Sequence, residues 1–154
     1  MIIEGKRVTL KPLVDKEYFL DLADKDNKGL YTRDGIAKLI DQYGTEFWVI
    51  YHEDIPRGVV GYFKFGNVYF LEALKDHAQK KGGLSHSVEV GQLVLKHLDE
   101  FTDIVYTCAR RSDPAIQLLC KKLGFKEIDK MQDFNFGEKE DLIFYRRDSQ
   151  NAHF

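Results

Sequence analysis

Two lysines, a glycine pair and a serine stand together at Lys80, Lys81, Gly82, Gly83 and Ser85, just ahead of a long amphipathic segment. A helix N-terminus offers unpaired N–H groups and a partial positive charge, which suits a phosphate. Glycines allow a ligand close to the main chain, and lysines add charge beside it. The same residues also describe a solvated connecting loop, because a glycine pair alone is a weak signal. His77 and His86 flank the stretch, where they can touch phosphate or take a proton from an amine, or serve as plain loop and helix-start residues. Glu72 lies just upstream in VYFLEAL, in phase with Leu74. A carboxylate half-buried in a strand has a raised pKa and can accept a proton, directly or through water; paired with a lysine it is simply structural. Cys108 and Cys120 are the two thiols. Neither has a histidine at a telling spacing, so an acyl-cysteine intermediate has little support. Both lie in apolar surroundings that suit buried cysteines. Without a CxxC pair or a histidine cluster, no metal site is expected.

These residues need elements to hold them. RVTLKPL (7–13) alternates like a strand and closes at Pro12. A helix follows with Asp15 as N-cap and Phe19, Leu22 and Ala23 at helical spacing, then a second helix over 34–43 through Ile36, Leu39 and Ile40. EFWVIYHED (46–54) and RGVVGYFKFG (57–66) read as a hairpin with its turn at Asp54–Pro56, and NVYFLEAL (67–74) as the next strand. Trp48, Tyr51, Tyr62 and Phe63 on the hairpin read as core. The longest helix spans about 85–101, with one stripe of Leu84, Val88, Gly91, Leu95 and Leu98 and a second of Val90, Val94, Leu98 and Phe101. DIVYTCA (103–109) suits a strand buried on both faces. The helix at 114–123 starts on Pro114, turns Ile116, Leu119, Cys120 and Leu123 inward, and stops at Gly124. KEIDKMQDFNF and EDLIFYRR close the chain as two strands joined through Gly137. The predicted order is β-α-α-β-β-β-α-β-α-β-β, an α/β (α+β) mixed sheet flanked by helices.

At 154 residues the chain reads as one domain over 1–148, with 149–154 a frayed tail, and it can bury a core without staples. Its 23 Lys+Arg against 25 Asp+Glu disfavour a protein whose main work is gripping nucleic acid. A lysine and an arginine interrupt the apolar N-terminal stretch, so it does not read as a signal peptide. No run reaches the roughly 18 apolar residues of a membrane span. Two thiols without a CxxC pair suit a reducing cytoplasm, and no membrane partner is expected.

CARRSDPAIQLLCKKLGF, Cys108 to Phe125, resembles the last large helix of the GCN5-related N-acetyltransferase (GNAT) superfamily, whose pattern is R-x-S-N-x-x-A-x-x-L-Y-x-x-x-G-F. Arg110, Ser112, Asp113, Leu119, Cys120, Gly124 and Phe125 stand in its register. The family's coenzyme loop, Q/R-x-x-G-x-G/A, is similar to Gln79-Lys80-Lys81-Gly82-Gly83-Leu84, and its preceding L-x-V strand to Glu72-Ala73-Leu74. The element order also agrees over essentially the whole chain.

The resemblance implies an acyl-coenzyme A fold in which two central parallel strands splay and the pantetheine lies between them. Its amides would pair with main chain near Leu74 and Lys75, and its pyrophosphate would rest on residues 79–85: Gln79, Lys80, Lys81, Gly82, Gly83, Leu84 and Ser85. Asp113 stands where the family has an asparagine that reaches the pantetheine. Leu84 replaces a glycine or alanine. Cys120 replaces a tyrosine that protonates the departing thiolate, and Cys108 stands where ribosomal-protein alanine acetyltransferases have a basic glutamate. Glu72 then becomes the expected base and Cys120 the expected thiol donor. The implied activity is transfer of acetyl from acetyl-CoA to an amine of a small molecule or protein, by direct attack. The substitutions also leave open a catalytically silent GNAT-fold protein that binds coenzyme A or a protein partner, and the hairpin's aromatics as walls of an acceptor pocket. An unrelated α/β binding domain is a third reading. Homodimers through the C-terminal strands are common in this fold and stay open here.

Overall fold

The computed structural model describes residues 1–27, 33–76, 83–128 and 142–149; for residues 26, 27 and 83–85 it describes the main chain alone. The elements are β1 (Ile3–Glu4), β2 (Thr9–Pro12), α1 (Lys16–Asn27), α2 (Arg33–Tyr43), β3 (Gly44–His52), β4 (Ile55–Phe65), β5 (Val68–Lys75), α3 (Gly83–Leu98), β6 (Ile104–Arg110), α4 (Pro114–Lys122), β7 (Lys126–Ile128) and β8 (Leu142–Asp148). The predicted order holds, with β1 added as a short edge ribbon paired antiparallel to β2. Residues 129–141 and 150–154, which include the expected Gly137 connection and most of the tail, lie outside the described residues.

The strands form one mixed sheet in the order β1-β2-β3-β4-β5-β6-β8-β7. Only β5 and β6 run parallel; every other neighbouring pair is antiparallel. Side chains alternate across a strand, so strands β3 to β6 and β8 feed two separate cores. One lies under α3 and α4 and gathers Trp48, Val60, Tyr62, Leu71, Val94, Leu95, Leu98, Val105, Cys120 and Tyr145. The other lies under α1 and α2 and gathers Phe19, Leu20, Leu22, Val59, Phe63 and Phe70, with Leu74 and Cys108 packed against it.

Several local signals act as predicted. Asp15 caps α1, its Oδ1 accepting from the Glu17 N–H at 2.9 Å. Gly124 takes φ +89°, and the Phe125 N–H reaches back to the Cys120 carbonyl at 3.0 Å, which closes α4. Four expectations need correction. The hairpin turns at Glu53 and Asp54, both at positive φ as a tight two-residue hairpin demands, while Pro56 lies inside β4 opposite Tyr51. Pro56 has no N–H to contribute, and it sits beside a bulge: Ile50 faces Gly58 and Tyr51 faces Pro56, leaving Arg57 as the extra residue. The helix α3 runs from Gly83 to Leu98, so Phe101 falls beyond it and is 54% exposed. Ile116 is also exposed, because α4 turns Cys120 and Leu123 inward instead. Finally, β6 buries only one face fully, that of Val105, Thr107 and Ala109, and leaves Tyr106, Cys108 and Arg110 half-buried.

α3 is tied down along its length. Glu89 accepts from the Arg7 and Val8 N–H groups at 3.0 and 2.8 Å. His97 meets Glu46 at 2.8 Å, and Tyr62 donates to the same carboxylate oxygen at 2.6 Å. Burial alone would raise the Glu46 pKa, but these two partners outweigh it and hold the carboxylate below its ordinary range. Past the last turn, Asp99 receives both ends of the Arg147 guanidinium at 2.8 and 3.2 Å. Gly91 lets α4 approach closely: a Cβ there would stand 2.4 Å from Leu123 Cδ1.

Candidate acyl-transfer site

β5 and β6 are paired only at Tyr69–Val105 and Phe70–Tyr106. One residue further on, the main-chain ladder gives way to a side chain: the buried Thr107 hydroxyl donates to the Leu71 carbonyl at 2.9 Å. Beyond that bond the strands are no longer paired with each other, although β5 stays paired with β4 as far as Lys75 and β6 with β8 as far as Arg110. The result is a cleft in the middle of the sheet.

The direction of the main chain in β5 follows from two contacts. The Leu71 carbonyl points to β6, where Thr107 takes it. The Leu74 carbonyl points to β4, since a Cβ on Gly58 would stand 2.3 Å from it. Main-chain groups alternate along a strand, so Ala73 and Lys75 turn theirs to the cleft and Leu74 does not. Leu74 is instead half-buried toward the α1–α2 side, as is Glu72. Ala73 is the residue that reading by motif passed over, because edge direction depends on the neighbouring strand.

Glu72 shares its face of the sheet with Cys108, across the cleft. The pair is close enough to interact: burial first, and then the Glu72 charge, push the Cys108 thiol far up. Cys120 lies on the opposite side of the sheet, 5% exposed, and burial pushes its thiol up to about 12. Glu72 and Cys120 therefore sit on opposite faces. Asp113 is the N-cap of α4, its Oδ1 accepting from the Ile116 N–H at 3.2 Å. At the far end of β5, Tyr18 of α1 donates to Asp76 Oδ2 at 3.1 Å, and burial and that carboxylate raise the Tyr18 pKa. Asp76 is held in turn by its N–H on the Arg57 carbonyl at 2.9 Å, so the bulge in β4 fixes where β5 ends.

Of the expected anion loop, Gln79, Lys80, Lys81 and Gly82 lie outside the described residues, as does His77. Gly83, Leu84 and Ser85 form the first turn of α3, so the second glycine opens the helix. The first N–H groups of a helix have no intrahelical partner and carry a partial positive charge. His86 follows in that turn with its ring 4.3 Å from that of His52, edge to face. Burial, then His52, Arg7 and Arg57, depress the His86 pKa, with Glu89 opposing them. The foot of α3 thus gathers two arginines and two histidines from four parts of the chain, with Glu89 beside them. Arg7, His52 and Arg57 were not legible as site residues, because sequence distance hides their convergence.

No protein-family model matches the chain, and no curated protein matches it in sequence. Solved structures do match it. A probable GNAT-family acetyltransferase from Chromobacterium violaceum is 16% identical with a TM-score of 0.72, over 97% of this chain and 87% of that one. A GNAT-family acetyltransferase from Bacillus anthracis is 13% identical with a TM-score of 0.68, over 97% and 99%. RimL, a ribosomal-protein alpha-N-acetyltransferase solved in complex with coenzyme A, is 13% identical with a TM-score of 0.69, over 96% and 98%. At these identities the likeness establishes the fold: the chain has the mixed sheet and helix arrangement of the GNAT acyltransferases. Among the described residues, no helix is long and apolar enough to cross a membrane.

Proposed function

We propose that this protein is an acetyl-CoA-dependent N-acetyltransferase whose acceptor is an amine of a small molecule or a protein. The observation that carries the reading is the early end of the β5–β6 ladder, with α3 the next helix after β5 along the chain. A cleft edged by main-chain donors and acceptors suits an extended amide-bearing arm, and a helix N-terminus suits the diphosphate at its end. The shared fold of known GNAT acetyltransferases, one of them bound to coenzyme A, supports the same reading.

The residues divide the work as follows. Ala73 and Lys75 hold the pantetheine arm by their main chain, with Leu74 packing behind them. The α3 N-terminus, with Gly83, Leu84 and Ser85 and the upstream Gln79, Lys80, Lys81 and Gly82, takes the pyrophosphate. The bound thioester supplies an electrophilic acetyl carbon, which the acceptor nitrogen attacks as the C–S bond breaks. Glu72 accepts the ammonium proton, directly or through one water, from the α1–α2 side of the cleft. Asp113 contributes by capping α4, which fixes the far wall. Cys120 contributes packing: with its pKa at about 12 it is a poor donor, and a thiolate of ordinary pKa near 8.5 leaves without one around pH 8. Positioning and main-chain polarisation supply most of the rate. RimL acts on a ribosomal protein, which makes a protein N-terminus one acceptor class to try.

A silent coenzyme-binding protein is the second reading, favoured by thiols at both usual proton-transfer positions. Calorimetric titration with acetyl-CoA and coenzyme A, beside Gly83→Asp, tests the binding that both readings require. Micromolar binding lost in the variant is the expected result, and no binding by folded wild type would overturn both. An amine screen then separates them: turnover that falls about 10²- to 10⁴-fold in Glu72→Gln supports the enzyme. Binding without turnover on any amine supports the silent protein.

A further inference from the structure

Thr107 supplies a side-chain bond across the β5–β6 junction. Its residue is 9% exposed, and its hydroxyl donates to the Leu71 carbonyl at 2.9 Å in a buried layer. The last paired residues are Phe70 and Tyr106, so this bond occupies the position of the next rung. A parallel pair of strands would continue its main-chain bonds unless something else satisfied the acceptor. The threonine does so with a side chain, closing the account of the Leu71 carbonyl while leaving the strands free to diverge. Thr107 stands opposite the buried Tyr145 of β8 in the ladder.

We infer that Thr107 is a positioning residue that fixes the apex of the cleft and so the depth at which an acyl-pantetheine seats. The inference rests on the proposed function for its ligand, but not for its geometry. With the Leu71 carbonyl taken, Ala73 is the first residue of β5 whose main chain is offered to a ligand. Glu72 lies between the two, so the same bond sets the height of the reacting thioester relative to the base. A valine at this position has the same shape without the donor. It leaves a buried carbonyl unsatisfied, which draws either the ladder or the ligand into a different register. A serine keeps the donor.

Two measurements on wild type, Thr107→Val and Thr107→Ser test this. The first is calorimetric titration with coenzyme A and with 3′,5′-ADP, which carries the 3′-phosphate and the first 5′-phosphate without the pantetheine arm. The expected result is a loss of about 10-fold in coenzyme A affinity for valine, equivalent to about 1.4 kcal/mol. Affinity for 3′,5′-ADP stays within about 2-fold, and serine stays within about 3-fold of wild type on both ligands. Equal losses on the two ligands would mean general damage to the fold and overturn the inference, as would an unchanged valine variant. The second is amide hydrogen exchange without ligand. Thr107→Val raises exchange at residues 71–75 and 107–110 about 10-fold or more over that at the β3–β4 rungs, whereas equal protection in both places overturns the inference. Should wild type fail to bind coenzyme A, the proposed function falls while the exchange arm still decides the apex.

Discussion

The ion pair at the far end of α3 gives the sharpest stability test. Arg147 is 1% exposed on β8, and its guanidinium is held at both ends by Asp99 just beyond the helix. In Asp99→Asn the shape survives but a carboxylate charge held by a buried cation is lost. Breaking a buried pair on one side costs roughly 3–5 kcal/mol. The Asp99 side chain is 31% exposed, so water screens part of that loss. The expected destabilisation is therefore about 2–3 kcal/mol, or roughly 5–10 °C in Tm for a chain of this size. Trp48 is the single tryptophan and is 1% exposed, so its fluorescence follows urea unfolding directly. The double variant Asp99→Leu with Arg147→Met removes both charges and should return to within about 1 kcal/mol of wild type. A loss below about 0.5 kcal/mol in Asp99→Asn, or a double variant no better than the single one, would mean that this pair does not stabilise the fold.

Three further outcomes follow from other contacts. Gly91→Ala adds a Cβ at 2.4 Å from Leu123 Cδ1; the overpacking of about 1–3 kcal/mol should exceed the gain of about 1 kcal/mol in helix propensity, and a rise in Tm would contradict it. Burial holds both thiols protonated, Cys120 at about 12 and Cys108 above its ordinary range too. Ellman's reagent at pH 8 should therefore label neither in the native protein and both in guanidinium, and rapid native labelling would show a thiol open to solvent. His86 has its pKa depressed by burial and then by His52, Arg7 and Arg57, with Glu89 opposing. The unfolded chain thus binds the proton more readily. This site's contribution to stability is full above the ordinary histidine pKa near 6.5 and is lost as pH falls below it. A bound phosphate reverses the balance, so coenzyme A binding should tighten from pH 8 to 6, and His86→Gln should flatten that dependence in a calorimetric pH series.

By itself the sequence determined the element order, the start of α1, the stop of α4 and the buried stripe of α3. These are local matters: Asp15 and Gly124 act on neighbouring main chain, and the Val90–Val94–Leu98 stripe needs only its own helical period. It also carried the resemblance through Gly82-Gly83 and the run to Gly124-Phe125, since both motifs are short and contiguous. Tertiary structure alone decided the rest. Whether Glu72 and Cys108 share a face depends on the registers of β4 against β5 and of β6 against β8, which no single strand encodes. The orientation of Ala73 and Lys75 to the cleft depends on which neighbour takes the alternate carbonyls of β5. Cys120 stands at a position that the motif marks for chemistry, yet its depth beneath α4 sets its pKa, and depth is a property of packing. The foot of α3 draws Arg7, His52, Arg57 and His86 from remote parts of the chain, and they act on one another only because the fold brings them within reach.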